Sequence, residues 1–334
     1  MDLVTGITGL VGSHVALELL AEGRTVHGLV RQGSDRDIVR KVFNHYRRDG
    51  NALFDRIVWA ESDLLDAIAL REAMSGVERV FHCAAMVSFD PRDAKRMFAT
   101  NINGTANVVN AALECGVRKL VHVSSTAATG RSDHGEPVNE DMPWKRGKHT
   151  SPYAVSKYES EMEVHRGVAE GLDAVMVNPS VVYGAGAAGR GSLAVISRVS
   201  KGTSFYPTGS NGLVDARDVA AAMLIAADRG VTGERYILST EPISYLTLFT
   251  AIAEANGQRP PTKAIPSWVL GLAWRAEAFR TTLTGGRSLV TRYTAHSALQ
   301  HYSYDTSRAQ ALGITFRDPL ETIQSAVAFY KSLL

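Results

Sequence analysis

A glycine run set between an apolar strand pattern and a helical pattern constrains this chain more than any other feature. Val4-Thr-Gly-Ile-Thr-Gly-Leu-Val-Gly-Ser13 places glycines at 6, 9 and 12. Glycines in that context allow a tight turn, let backbone approach a pyrophosphate, and let the helix begin close to the sheet. Gly6, Gly9 and Gly12, with Thr8, Leu10 and Val11 between them, would present a helix N-terminus to the phosphates of a dinucleotide. A plain strand-to-helix turn could use the same glycines, so the surrounding rhythm has to decide.

That rhythm is an alternation of short apolar runs with helical periods. Strands are predicted at 3–4, 25–30, 57–60, 79–82, 119–123 and 174–178, with helices at about 11–22, 65–75, 103–115 and 152–170. Short connections and right-handed crossovers select a doubly wound parallel α/β sheet. After Asn178 the rhythm breaks. Residues 214–228 and 235–238 again read as helix plus strand, and the chain ends in a periodic helix over 319–333. The expected organisation is a dinucleotide-binding domain of residues 1–180 plus about 213–240. A smaller, mostly helical substrate domain would take about 181–212 plus 241–334.

Composition narrows the partners. Net charge is only +2 over 334 residues, with 45% hydrophobic and 21% charged. This is a globular mix without the basic face that nucleic acid requires. Cys83 and Cys115 have neither metal-ligand nor redox spacing, so no metal and a reduced, cytoplasmic setting are expected. Strand-like residues begin at Asp2, so no leader is predicted, and no apolar run is long enough to span a bilayer. Residues 265–283 contain Trp268 and Trp274, interrupted by Arg275, Glu277 and Arg280. They predict an amphipathic helix packed on a core or pocket rather than lying on a membrane.

Two further glycine and charge features bear on the cofactor. Residues 184–189 satisfy GxGxxG more literally than the first run, but no βαβ unit follows, so a loop bordering the active site is expected. The second strand ends Gly28-Leu-Val-Arg31-Gln-Gly-Ser34, with no acid before Asp35. An NAD enzyme usually holds the ribose 2′-hydroxyl with Asp or Glu at this point. Arg31 can instead pair with a 2′-phosphate, with Ser34 or Arg36 adding contacts, unless it is a solvated surface arginine. NADP(H) is therefore favoured over NAD(H). Asp63 and Leu64, after the third strand, suit the adenine ring.

Tyr153 and Lys157 stand four apart on a predicted helix and so share a face. A phenol has an ordinary pKa near 10, and a nearby ammonium lowers it by favouring phenolate. Alone, the spacing is also that of an ordinary exposed helix pair. Ser124-Ser125 follows an apolar strand at the end where α/β sheets place ligands, and Asn101 opens the preceding helix. Singly these read as caps or turns.

Together, in order behind the glycine turn, they resemble an extended short-chain dehydrogenase/reductase of the NAD-dependent epimerase/dehydratase group, nearest its dihydroflavonol 4-reductase-like branch. The matching segments are residues 5–12, 80–85, 101–105, 123–125, 153–157, 178–184 and 214–219. The resemblance implies that Tyr153 is the general acid, and that Lys157 lowers its pKa and holds the nicotinamide ribose. It implies that Ser125 hydrogen-bonds the substrate oxygen and Asn101 holds a water that relays protons to Lys157. Ala84 and Ala85 would pack along the cofactor and Pro179 beside the nicotinamide.

The same four residues serve epimerases and dehydratases that keep NAD tightly bound. Those relatives often carry an asparagine where this chain has Val181, which leans towards a carbonyl reductase. Arg217, Arg287 and Arg292 could still clamp a diphosphate. A non-catalytic dinucleotide sensor is a further alternative, disfavoured because Tyr153 and Lys157 are both present. Met86, Val87, Phe89, Thr126, Val182 and Tyr206 are candidates to line the pocket of a small carbonyl or alcohol substrate. Resemblance also implies a possible homodimer through the helices at 103–115 and 152–170.

Overall fold

The computed structural model describes residues 1–132, 135–187, 189, 191–286, 288 and 290–334. Its central sheet has seven strands: β1 (Asp2–Thr5), β2 (Val26–Val30), β3 (Val58–Glu61), β4 (Arg79–His82), β5 (Lys119–Val123), β6 (Ala174–Pro179) and β7 (Arg235–Leu238). They run β7-β6-β5-β4-β1-β2-β3, all parallel. The chain is a doubly wound α/β protein.

The inner strands β1, β4, β5 and β6 are wholly buried, so alternate side chains enter different cores. Leu3, Val80, Leu120 and Met176 share one core with Leu70, Val108 and Val164. Those three come from the helices α3 (Ala67–Met74), α4 (Gly104–Glu114) and α5 (Pro152–Ala169). Val4, Phe81, Val121 and Val177 share the other with Val15, Val39 and Val219. Their helices are α1 (Leu10–Ala21), α2 (Asp37–Tyr46) and α6 (Ala216–Arg229). A third core joins Leu193, Ile196, Leu248, Ile252, Ile323 and Val327 beyond the sheet.

Strand order reverses between β4 and β1, so the loops after these two strands part and open a crevice at the carboxyl edge of the sheet. Gly6 and Ala84 face each other there. A Cβ on Gly6, whose φ is +66°, would lie 2.6 Å from the Ala84 Cα.

Two elements depart from the sequence patterns. Helix α2 is not anticipated, although Ile38, Val39, Val42 and Phe43 form one buried stripe along it. The segment at 265–283 is helical, as α7 (Ser267–Thr284), but none of its residues is buried. Of the helix expected to pack on a core or pocket, one side rests half-buried and the other is uncovered. Among the described residues no helix is long and apolar enough to cross a membrane.

Candidate active site

Helix α5 organises the site. Ser151 caps it, its side chain accepting the Ala154 N–H at 3.1 Å, and Pro152 occupies its first turn. Tyr153 and Lys157 follow one turn apart. The Lys157 Nζ is buried and donates to the Val123 carbonyl at the end of β5, 2.8 Å away. Ser125, two residues further along, accepts the Ala127 N–H and lies near enough to the Tyr153 phenol to favour its ionised form. The Phe89 ring meets the Tyr153 ring edge-on, with centroids 5.6 Å apart.

Burial pushes the Tyr153 phenol above its ordinary value, and the nearby Ser125 only partly opposes it. Burial lowers the Lys157 ammonium to about 8, against the attraction of Glu161. The Lys157 ammonium is turned to the β5 carbonyl.

Sequence reasoning missed Glu161. It lies a further turn along α5, fully buried, and accepts from Asn178 Nδ2 at 2.5 Å and from Arg235 at 3.3 Å. Asn178 Nδ2 also donates to the Ser125 carbonyl at 3.1 Å, so Glu161 steadies the loop that carries Ser125. Burial pushes the Glu161 carboxyl up, opposed by Arg235 and Asn178. The regular four-residue continuation from Tyr153 and Lys157 was its only signal in the sequence.

Asn101 sits in a π-helical turn, Ala99–Asn103, of a kind often found at functional sites. Its side chain accepts the Met86 N–H at 2.7 Å and donates to the Met86 carbonyl and to Ser156 Oγ. Its carbonyl accepts from Ser160 Oγ at 2.9 Å. The Asn101 side chain thus fastens the loop after β4 to α5. Thr5 is a second residue that sequence reasoning missed. Its hydroxyl pairs with His82 Nδ1 at 2.8 Å and accepts the Ala84 N–H, while His82 Nε2 reaches Thr105. Burial pushes His82 down to about 3, so the imidazole in this chain is neutral.

The glycine turn fits a dinucleotide pyrophosphate. Gly9 caps α1 without any side-chain hydrogen bond, and no acid occupies the first turn. The N–H groups of Leu10, Val11 and Gly12 therefore lack helical acceptors and face an open, electropositive end. A Cβ at Gly12 would strike the Gly6 carbonyl at 2.3 Å. Arg31 is exposed at the end of β2 with no ion-pair partner among the described residues. Ser34 closes a turn onto its carbonyl, whereas Arg36 is drawn to Glu61 and the Trp59 ring. Asp63 is an exposed turn residue that accepts the Leu65 N–H, and Leu64 is buried against Gly104. Pro179 ends β6, buried beside Leu238 of β7. Gly184 and Gly186 pack against Ala216 and Leu10, where a side chain would clash; Ala188, in the same run, lies outside the described residues.

The model of the NAD dependent epimerase/dehydratase family matches residues 3–239. The chain belongs to that family. It is 32% identical to a Synechocystis protein provisionally named dihydroflavonol 4-reductase, over 97% of this chain and 92% of that one. It is 31% identical to the UDP-glucose 4-epimerase of Mycolicibacterium smegmatis, over 76% and 82%. The crystal structure of gox2253 superposes over 100% of this chain and 98% of its own, with 30% identity and a TM-score of 0.81. The chain is a nicotinamide-dependent oxidoreductase.

For a member of the epimerase/dehydratase family, the substrate side decides the chemistry. Phe89 stands against Tyr153, exposed Val87 and half-buried Met86 lie on the same loop, and Thr126 follows Ser125. Val182 packs against the core shared with α1, and Tyr206 makes no ring contact with Tyr153 among the described residues. Arg217 is bound to Asp215 and Glu321 and lies over the Tyr46 ring, and Arg292 donates to the Lys148 carbonyl. Arg287 lies outside the described residues. No group of three His, Cys, Asp or Glu among the described residues is placed to hold a metal ion.

Proposed function

We propose that this protein reduces a small aldehyde or ketone with NADPH. The observation that carries the reading is the Tyr153 phenol, kept protonated by burial, with Ser125 and the ring of Phe89 beside it. A protonated phenol suits donation to a carbonyl oxygen becoming an alkoxide. When bound, the nicotinamide supplies the hydride.

The remaining steps belong to the chain. Ser125 orients the substrate oxygen towards Tyr153, which gives up its proton. Lys157 holds the nicotinamide ribose and restores the Tyr153 proton, while Asn101 keeps the loop after β4 in place. Leu10, Val11 and Gly12 bind the pyrophosphate, Ala84, Ala85 and Pro179 flank the nicotinamide, and Asp63 and Leu64 border the adenine. Arg31 and Ser34 take the 2′-phosphate. Residues 1–180 and 213–240 form the cofactor half, and the rest shapes the substrate side. Commitment of Arg217 to Asp215 and Glu321 favours this reading over sugar-nucleotide epimerisation.

Tyr153→Phe tests it. Turnover of a panel of aldehydes and ketones with NADPH should be lost, with NADPH binding by fluorescence nearly unchanged. A mutant that still turns over removes Tyr153 as the acid. Wild-type protein that ignores the panel and purifies with tightly held NAD would instead establish the epimerase chemistry.

A further inference from the structure

Helix α7 is apolar on two sides. Val269, Leu270, Ala273 and Trp274 are half-buried on the inner side. On the outer side Trp268, Leu272, Phe279 and Leu283 are 67%, 57%, 69% and 70% exposed. At 3.6 residues per turn these four fall within about 60° of one another, a stripe about 23 Å long. Such a row of large exposed apolar side chains, broken only by Arg275, differs from scattered single residues and marks a docking surface.

Charge identifies what covers it. Between residues 259 and 292 there are six basic residues (Arg259, Lys263, Arg275, Arg280, Arg287 and Arg292) and one acid, Glu277. That is a local net charge of +5 in a chain whose total is +2. Lys263 and Arg275 have no carboxylate partner among the described residues. Arg275 lies over Trp274 at 4.6 Å, and Lys263 lies 6.0 Å from the ring of Phe205, itself 52% exposed. Aromatic and aliphatic side chains amid cations match an anionic bilayer interface.

A second copy fits less well. The stripe exposes roughly 500 Å², short of the about 800 Å² per partner of a stable dimer. A symmetric pairing would also bring two such basic segments together.

The helix is tied to the active site. Arg92 donates to the carbonyls of Gly285 and Gly286 at 2.9 and 2.6 Å, just past the end of α7. The Ser288 N–H donates to Asp90, the neighbour of Phe89. We propose that α7 docks the protein on an anionic membrane surface, with the mouth beside Phe89 facing the lipid boundary.

The test is flotation of the full-length protein with vesicles of phosphatidylcholine alone or mixed with phosphatidylglycerol. Wild-type protein should float with the mixed vesicles and bind phosphatidylcholine at least about tenfold more weakly. Trp fluorescence should shift to the blue on binding. L272Q/F279Q/L283Q, which keeps Trp268 as reporter, and K263E/R275E should each lose flotation while retaining wild-type circular dichroism. Protein that remains unbound with both vesicle types overturns the proposal. So does concentration-dependent dimerisation, seen by light scattering, that the triple variant abolishes. Because binding is read without turnover, neither result depends on which carbonyl is reduced.

Discussion

Glu161 is the residue whose place in the site changes the chemistry most. It shares α5 with Tyr153 and Lys157, and its negative charge supports the Lys157 ammonium against the cost of burial. In the proposed mechanism Lys157 works as the cation, so activity should fall as pH rises through about 8 and the lysine deprotonates. In Glu161→Gln the supporting charge is gone, the lysine loses its proton earlier, and the alkaline limb of kcat should move down by roughly 0.5–1 pH unit. A purely structural glutamate would lower kcat at every pH without moving the limb. That flat loss would refute its electrostatic role.

At the scale of elements, local patterns were the legible part. The glycine turn, the Tyr153–Lys157 spacing and the Ser125 strand end are each written within a few consecutive residues, because turns and helix faces are local. Thr5 with His82 and Thr105, and Glu161 with Asn178 and Arg235, are pairings that exist only once strand register brings distant segments together. Helix α2 was readable from Ile38, Val39, Val42 and Phe43, but it follows directly on a stretch that also reads as a cofactor loop. The uncovered side of α7 could not be read, since periodicity shows that a side is apolar and not what lies against it.

Arg31 is exposed and without an ion-pair partner among the described residues, as a side chain awaiting a phosphate would be. Arg31→Ala should raise the KM for NADPH roughly 10–100-fold, the worth of a charge-assisted contact, and leave that for NADH little changed. Equal effects on both cofactors would count against NADP(H).

Across the whole molecule, the amino ends of the strands are held by charge. Asp2, fully buried on β1, is bridged by Arg79 of β4 and by Arg24, both at 2.9 Å. Burial alone would raise its carboxyl, but the hydrogen bonds and charges of Arg79 and Arg24 outweigh it and hold it below the usual range. The stabilisation is therefore present above the unfolded-state pKa and is lost as pH falls through the depressed folded value. Asp2→Asn leaves Arg79 buried with, among the described residues, only the exposed Asp228 as counter-charge. It should cost about 3 kcal/mol at pH 7 in urea unfolding, and less as the wild type is acidified. Equal stabilities at pH 7 would contradict this.

The order of the sheet also bears on how the protein is made. The chain leaves the sheet at Pro179 and returns only at Arg235, so β6 is an open edge until residues 180–234 have been synthesised and β7 arrives beside it. A nascent or truncated chain ending inside that interval presents unpaired backbone along Ala174–Pro179, an edge another unfinished chain can pair with. The last parallel strand thus completes the fold and also closes off aggregation during synthesis.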